Sequence, residues 1–138
     1  FADIPYAPGN ITVVGMNLKG KEITSHQLQS SKRQQAIKIV QGHELQAEAR
    51  NGLVQIELQI VDEDGIPVLL ADDEITCNIV GNARLLGMEA GNNTDMNDYT
   101  DNKQSVFHGR MIVYIQTTGG PGQELPIRFT AQWLKTAT

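Results

Sequence analysis

The sequence predicts an all-β protein, because short runs of alternating apolar and polar residues recur along it and no helical periodicity stands out. The clearest run is 53–61, in which Val54, Ile56, Leu58 and Ile60 alternate with glutamine and glutamate. Successive side chains of a strand point to opposite faces, so this run places four aliphatic groups on one face. Glycine, proline, asparagine and aspartate separate such runs at intervals of about ten residues, which is typical of an antiparallel sandwich.

The remaining elements follow the same pattern. Lys19-Gly20 predicts a hairpin tip. Asp64-Gly65 predicts a tight turn, because Asp-Gly accepts the positive φ of a sharp reversal. Residues 25–35 are polar and fit a strand end, a loop or a linker. Gly87 predicts a β-bulge or a close approach of two backbones. The predicted strands are 10–16, 21–24, 36–40, 53–61, an extended segment from Ile66, 74–80, 83–88, 105–117 and 127–134, with a turn at 119–122.

Together these elements predict an Ig-like antiparallel β-sandwich of about seven strands over residues 35–138. Residues 1–34 are either extra strands of the same body or the tail of a preceding β-domain. Cys77 lies in an alternating run, so we expect a small buried core residue. Trp133 continues the apolar face of Ile127, Phe129 and Ala131 and is predicted to fill the core, with an exposed sugar-stacking platform as the alternative.

Composition excludes several classes of partner. The 138 residues are 40% hydrophobic and 20% charged, as in ordinary globular proteins. The net charge of −5 and the lack of a lysine or arginine run argue against nucleic acid. No apolar stretch approaches the length of a membrane span. The chain begins at Phe1 without a visible signal peptide, so we expect a fragment or a processed product.

No motif in the sequence predicts a catalytic residue, a metal site or a cofactor. The single cysteine allows neither an intrachain disulfide nor a thiolate metal cage. The run 62–64 could offer carboxylates to calcium, but the complete calcium loop is missing, and a hairpin turn is the preferred interpretation. His26, His43 and His108 lie in different elements, and Ser105 lacks the nucleophile-elbow pattern.

Three stretches resemble the C-terminal region of glycoside hydrolase family 2 enzymes of the β-galactosidase type, above all the multidomain forms of Bacteroidetes. The first is IPYAPGNITVVGMNLKGKEITSHQLQS (4–30), similar to the end of an Ig-like domain. The second is LVQIELQIVDEDGIPVLLADDEITCNIVGNARLLGMEAGN (53–92), similar to the start of the next sandwich. The third is FHGRMIVYIQTTGGPGQELPIRFTAQWL (107–134), similar to its end. After Gly91 the family usually has aspartate, whereas this chain has Asn92.

The resemblance implies that this chain is a non-catalytic accessory domain of a parent glycosidase that acts on O-glycosyl bonds. The two catalytic glutamates of such enzymes lie on an upstream barrel that needs about 250 residues. The implied partners are the other domains of the parent, which we expect to be periplasmic or extracellular. No cofactor is implied.

Two other functions remain open from the residues. The polar loop 89–102 offers amides, carboxylates and one aromatic ring, which could bind sugar hydroxyls and stack on a sugar ring. Its candidate carbohydrate-binding residues are Asn92, Asn93, Asp95, Asp98 and Tyr99; a solvated or domain-docking loop is the preferred interpretation, and calcium binding by the loop's oxygen ligands is a further alternative. A carbohydrate-binding module and a cell-surface Ig-like adhesion or interaction module are therefore the alternatives, because the fold by itself does not fix function.

Overall fold

The computed structural model describes residues 5–47, 52–119 and 124–138, which form strands joined by turns and loops. The strands β1 to β9 are, in chain order, Asn10–Met16, Glu22–Gln29, Ala36–Ala47, Gly52–Val61, Glu74–Ile79, Ala83–Glu89, Lys103–Ser105, Arg110–Thr117 and Ile127–Ala131. The chain divides into two units, Phe1–Ser31 and Lys32–Thr138. None of the described residues forms a helix long and apolar enough to span a membrane.

The first unit is a two-stranded antiparallel hairpin of β1 and β2, in which Ile11 is paired with Leu28 and Val13 with His26. Its tip contains Gly20 with a φ of 74°, as the sequence predicts. All residues of β2 and all but one of β1 are exposed. A hairpin of two strands is at best marginally stable in water, because it has no second layer on which to bury its side chains.

The second unit is a sandwich of two antiparallel sheets, with strand orders β3-β4-β8-β6 and β7-β5-β9. The first order reproduces the A-B-E-D arrangement of a constant-type immunoglobulin sheet. In the same correspondence β5 and β9 take the positions of C and F. A final bridge between Ala137 and Phe129 stands at the position of G. The all-β sandwich predicted from the sequence is confirmed.

One hydrophobic core lies between the two sheets. Leu58 of β4, Val113 of β8, Ile75 of β5 and Phe129 of β9 are all 0% exposed. Full burial of each such side chain stabilises the fold by about 1.5–3 kcal/mol. Cys77 lies in the same core, and burial raises the pKa of its thiol to about 11 because the thiolate would be desolvated. The prediction of a buried structural cysteine is confirmed.

A second buried layer covers part of the outer face of β4. Gln59 points away from the core, yet it is only 2% exposed. Its Nε2 donates to the carbonyl of Gly109 at 2.9 Å, and its Oε1 accepts from Arg110 Nε at 2.7 Å. The backbone N–H of Gly109 donates to the carbonyl of Ala71 at 3.0 Å, which holds the segment 66–71 over the glutamine. The buried amide is therefore satisfied on both sides, as buried polar groups must be.

Three sequence expectations need correction. The predicted strand 105–117 is broken into β7 and β8 by a tight turn, in which His108 has a φ of 52° and Gly109 a φ of 71°. The segment that begins at Ile66 forms one bridge, between Pro67 and Val61, and no strand. Trp133 is 87% exposed and does not fill the core, because β9 ends at Ala131 and the chain turns before the alternation reaches it.

Other details agree with the sequence or fall outside the described residues. Strand β3 is longer than the predicted 36–40, and β2 extends through half of the polar segment 25–35. The register shifts between Leu85 and Gly87, which confirms the bulge predicted at that glycine. Most of the predicted turn 119–122 lies outside the described residues.

Replacing Gly109 by alanine should destabilise the protein by about 3 kcal/mol, because a Cβ there would overlap the carbonyl oxygen of Val68 in a left-handed backbone. Gly91→Ala is the matched control. It has a φ of 74° and open space around it, so its cost should be about 1 kcal/mol. Urea unfolding of both variants measures the difference, and equal losses would contradict a packing role for Gly109.

Candidate functional site

The polar loop with the candidate carbohydrate-binding residues joins β6 to β7 and is built from consecutive side-chain-capped turns. Asn92 Oδ1 accepts from the N–H of Thr94 at 3.1 Å, and Asp95 Oδ1 accepts from the N–H of Asn97 at 2.9 Å. Asp98 Oδ1 accepts both the hydroxyl and the N–H of Thr100, which lower the pKa of that carboxyl. One oxygen of each of these side chains therefore holds the loop's own backbone. Asn93 lies exposed within the first of these turns.

Tyr99 fixes the far side of this loop to the sheet. Its carbonyl accepts from the N–H of Met88 at 2.8 Å. A Cβ at position 87 would lie 3.3 Å from the Tyr99 ring, so the ring packs closely over Gly87. The ring is 60% exposed and, with Tyr114 and neighbouring leucines, borders an apolar depression of about 340 Å³. The Tyr99 ring thus lies beside a hollow on the outer face of the four-stranded sheet.

A second candidate site surrounds Trp133, in the turn after β9. The N–H of Leu134 points to the carbonyl of Ala131 at 3.5 Å across this turn, and Trp133 has a φ of 67°. A left-handed backbone costs a residue other than glycine about 1–2 kcal/mol. Lys135 N donates to Gln35 O at 2.9 Å and thereby ties the far end of the turn to the chain before β3. Hydrogen bonds on both sides of the turn therefore hold the chain in this reversal.

Polar groups from β5 and β9 meet at this turn. Thr76 and Thr130 are directly paired across the two strands, and alternation places both on the outer face of the sheet. Asp73 Oδ2 is buried without a hydrogen-bond partner. Together the residues of this region enclose a cavity of about 380 Å³, lined by Asp73, Glu74, Thr76, Thr130, Ala131, Gln132 and Trp133. Carboxylates, hydroxyls, an amide and an indole ring thus border one space.

The acidic run 62–64 forms the predicted turn. Asp62 Oδ1 accepts from the N–H groups of Asp64 and Ile66, both at 2.9 Å, and its Oδ2 accepts from the N–H of Lys32 at 2.8 Å. These hydrogen bonds, above all that from Lys32, lower the pKa of Asp62. The Lys32 ammonium pairs with Glu63 at 2.6 Å and with Asp64 at 2.9 Å, which raises its pKa. The turn predicted from the sequence is confirmed.

The described residues contain no group of three or more histidine, cysteine or acidic side chains placed to hold a metal ion. His26 and His108 are exposed and belong to different units, and the side chain of His43 lies outside the described residues.

The sequence pattern of glycoside hydrolase family 2 C-terminal domain 5 matches residues 37–138. The chain belongs to this family. It is 23% identical over 120 residues to the beta-galactosidase BoGH2A of Bacteroides ovatus, a match that covers 87% of this chain and 14% of that protein. The family resemblance inferred from the sequence is confirmed.

Solved structures of family 2 relatives have the same fold. A beta-glycosidase from Bacteroides vulgatus superimposes with a TM-score of 0.85 and 27% identity over 97% of this chain and 17% of its own. A family 2 member from Bacteroides cellulosilyticus gives a TM-score of 0.84 and 24% identity over 97% of this chain and 18% of its own. The chain thus spans less than a fifth of the length of these relatives.

Sequence reasoning placed the loop residues correctly in one loop but missed the cavity at Trp133. Glu74 and Gln132 lie in the predicted strands 74–80 and 127–134, and the sequence predicts no site for either of them or for Asp73. The sequence features that could have indicated this cavity are the acidic residues at the start of β5 and the polar residues at the end of β9. Only the pairing of Ile75 with Ala131 brings these two ends together.

Trp133→Gly should raise the free energy of unfolding by about 0.5–1 kcal/mol, because glycine accepts the positive φ and the exposed indole packs little. Trp133→Ala is the control, since alanine keeps the backbone strain. Chemical denaturation compares the two. Equal stabilities for the glycine and alanine variants would show that the turn is unstrained.

Asp62 should make the stability of the fold sensitive to acid. Its folded pKa lies below the ordinary value of 3.8, so its contribution is complete above about pH 4 and is lost as the pH falls through the folded pKa. Asp62→Asn should therefore lower the Tm at pH 7. Between pH 5 and pH 2 the Tm of this variant should fall less than that of the unsubstituted protein. Exposed Asp72→Asn is the control, and parallel pH profiles for both variants would refute this role.

Proposed function

We propose that this chain is a non-catalytic C-terminal accessory domain of a β-galactosidase-like family 2 glycoside hydrolase, which packs against neighbouring domains and shapes access to their substrate. The observation that carries the proposal is the C-terminal domain match over 37–138 in a chain that spans only 14–18% of its relatives. Those relatives are named as a beta-galactosidase, a beta-glycosidase and a family 2 glycosyl hydrolase, so most of each lies outside the matched region.

The chemistry of retaining glycosidases supports the non-catalytic role. That reaction needs two carboxyl groups about 5–5.5 Å apart on either side of the scissile bond. In this chain Asp62 and Asp98 are engaged with backbone N–H groups of their own turns. Their lowered pKa values keep them ionised and therefore unsuited to donate a proton as a general acid at neutral pH.

The β1–β2 hairpin supports packing against another domain. Register and alternation place Ile11, Val13 and Leu28 on one face, where each is more than half exposed. A surface of contiguous apolar side chains of this kind marks an interaction site. We propose that residues 1–34 complete a preceding Ig-like domain of the same polypeptide, whose strands cover this face.

Carbohydrate binding is a second candidate function, favoured by the exposed Tyr99 ring beside its apolar depression. In this arrangement the ring would stack on a sugar, and the exposed Asn93 amide, the Asn92 amide nitrogen and the second carboxylate oxygens of Asp95 and Asp98 would bind its hydroxyls.

The isolated 138-residue chain should not hydrolyse a chromogenic galactoside, because the proposal places the catalytic carboxyls in another domain. The parent enzyme, purified in the same way, is the positive control and should release the chromophore. The measurement is the absorbance of the released chromophore against protein concentration. Turnover by the isolated chain that rises with its purity would overturn the accessory role.

A further inference from the structure

Trp133 is exposed in a strained backbone conformation that hydrogen bonds on both sides of its turn maintain. It is the single tryptophan of the chain, its side chain is 87% exposed, and its backbone lies in the left-handed region. Strain of this kind in a conformation fixed from both sides points to a functional position. A flat, exposed indole offers an apolar face on which a ring with C–H groups on one side can pack.

The polar groups beside the indole complete a site with mixed chemistry. Asp73 lines the cavity, and its buried Oδ2 lacks a hydrogen-bond partner. The Asp73 side chain is only partly buried, so its carboxylate can accept a hydrogen bond from a ligand in the cavity. Gln132 adds an amide that donates and accepts, and Thr76 and Thr130 add hydroxyls.

We propose that this cavity, which we name the Trp133 site and which is formed by Trp133, Asp73, Glu74 and Gln132, binds neutral sugar units of an oligosaccharide. A pyranose combines a C–H face, which would stack on the indole, with hydroxyls, which would donate to the carboxylates. The cavity of about 380 Å³ falls within the range of about 300–1,000 Å³ for ligand pockets.

The charge of the lining residues indicates which sugars the Trp133 site should exclude. Asp73 and Glu74 are adjacent acids on one wall, and the lining contains no lysine or arginine among the residues that the structure describes there. Because like charges repel at short range, the site should reject uronic acids and sulfated sugars. The proposal goes beyond the packing role of an accessory domain, because it gives the domain a ligand of its own.

The single tryptophan makes the test specific. We would titrate the 138-residue chain with neutral galacto-, gluco- and manno-oligosaccharides and follow the intrinsic fluorescence, which reports on Trp133. We expect a saturable fluorescence change with at least one neutral series. Uronic acid oligomers should bind at least about tenfold more weakly, which corresponds to a difference in binding free energy of about 1.4 kcal/mol. A flat response to every neutral series, as expected if protein covers this surface in the parent, would overturn the proposal.

Substitutions at the Trp133 site test whether the binding signal comes from this cavity. Asp73→Asn and Gln132→Ala should weaken binding about tenfold, the effect of one lost hydrogen bond. Trp133→Ala should abolish the heat of binding in calorimetry, and Trp133→Phe should restore part of it through its flat ring. Leu70→Ala, at a side chain that is 92% exposed and outside this lining, is the control and should bind normally.

Two further results distinguish sugar binding at the Trp133 site from sugar binding at the β6–β7 loop and from the accessory-domain role. Loss of binding in Tyr99→Ala with normal binding in Asp73→Asn would place the sugar at the β6–β7 loop and overturn the Trp133 site. Absence of binding would leave the accessory-domain proposal intact, whereas hydrolysis by the isolated chain would overturn that proposal without touching this one. Circular dichroism of each variant confirms that a loss of binding is not a loss of fold.

Discussion

The packing of two inner sheet faces is the constraint on which the rest of the second unit depends. Leu58 and Val113 from one sheet meet Ile75 and Phe129 from the other, and none of the four retains exposed surface. Because side chains alternate along a strand, a register slip of one residue would exchange the core face for the outer face. Their burial therefore fixes the register of β4, β8, β5 and β9, and with it every outward position.

The candidate sites are consequences of that register. The outward pairing of Thr76 with Thr130 exists because Ile75 and Phe129 point inward. The turn at Trp133 exists because the chain must leave β9 and return to bridge both Gln35 and Phe129. A bulky residue in a left-handed turn is costly, so its presence at the cavity that Asp73 also lines sets this edge of the sandwich apart from an ordinary turn.

The first unit shows what the same alternation does without a second layer. Ile11 and Val13 lie at alternate positions of β1, as the core residues of β4 do, yet they remain exposed, because only β2 lies beside them and no sheet faces them within the described part of their unit. Periodicity predicts a strand, but burial needs a partner layer. This contrast supports the proposal that another domain of the same polypeptide covers the hairpin.

The sequence by itself determined the all-β class, the family, the strand at 53–61, the acidic turn at Asp62 and the bulge at Gly87, because alternation and turn chemistry are local properties. It could not determine that a turn at His108 divides one apparent strand, since a positive φ at histidine follows from the buried Gln59 layer beside it. Nor could it place Trp133 outside the core or bring Asp73 to Gln132, because both depend on the pairing of β5 with β9 across a long stretch of chain. Only the tertiary structure decides such contacts, because the free energy gained by packing the two sheets together, and not local conformational preference, selects them.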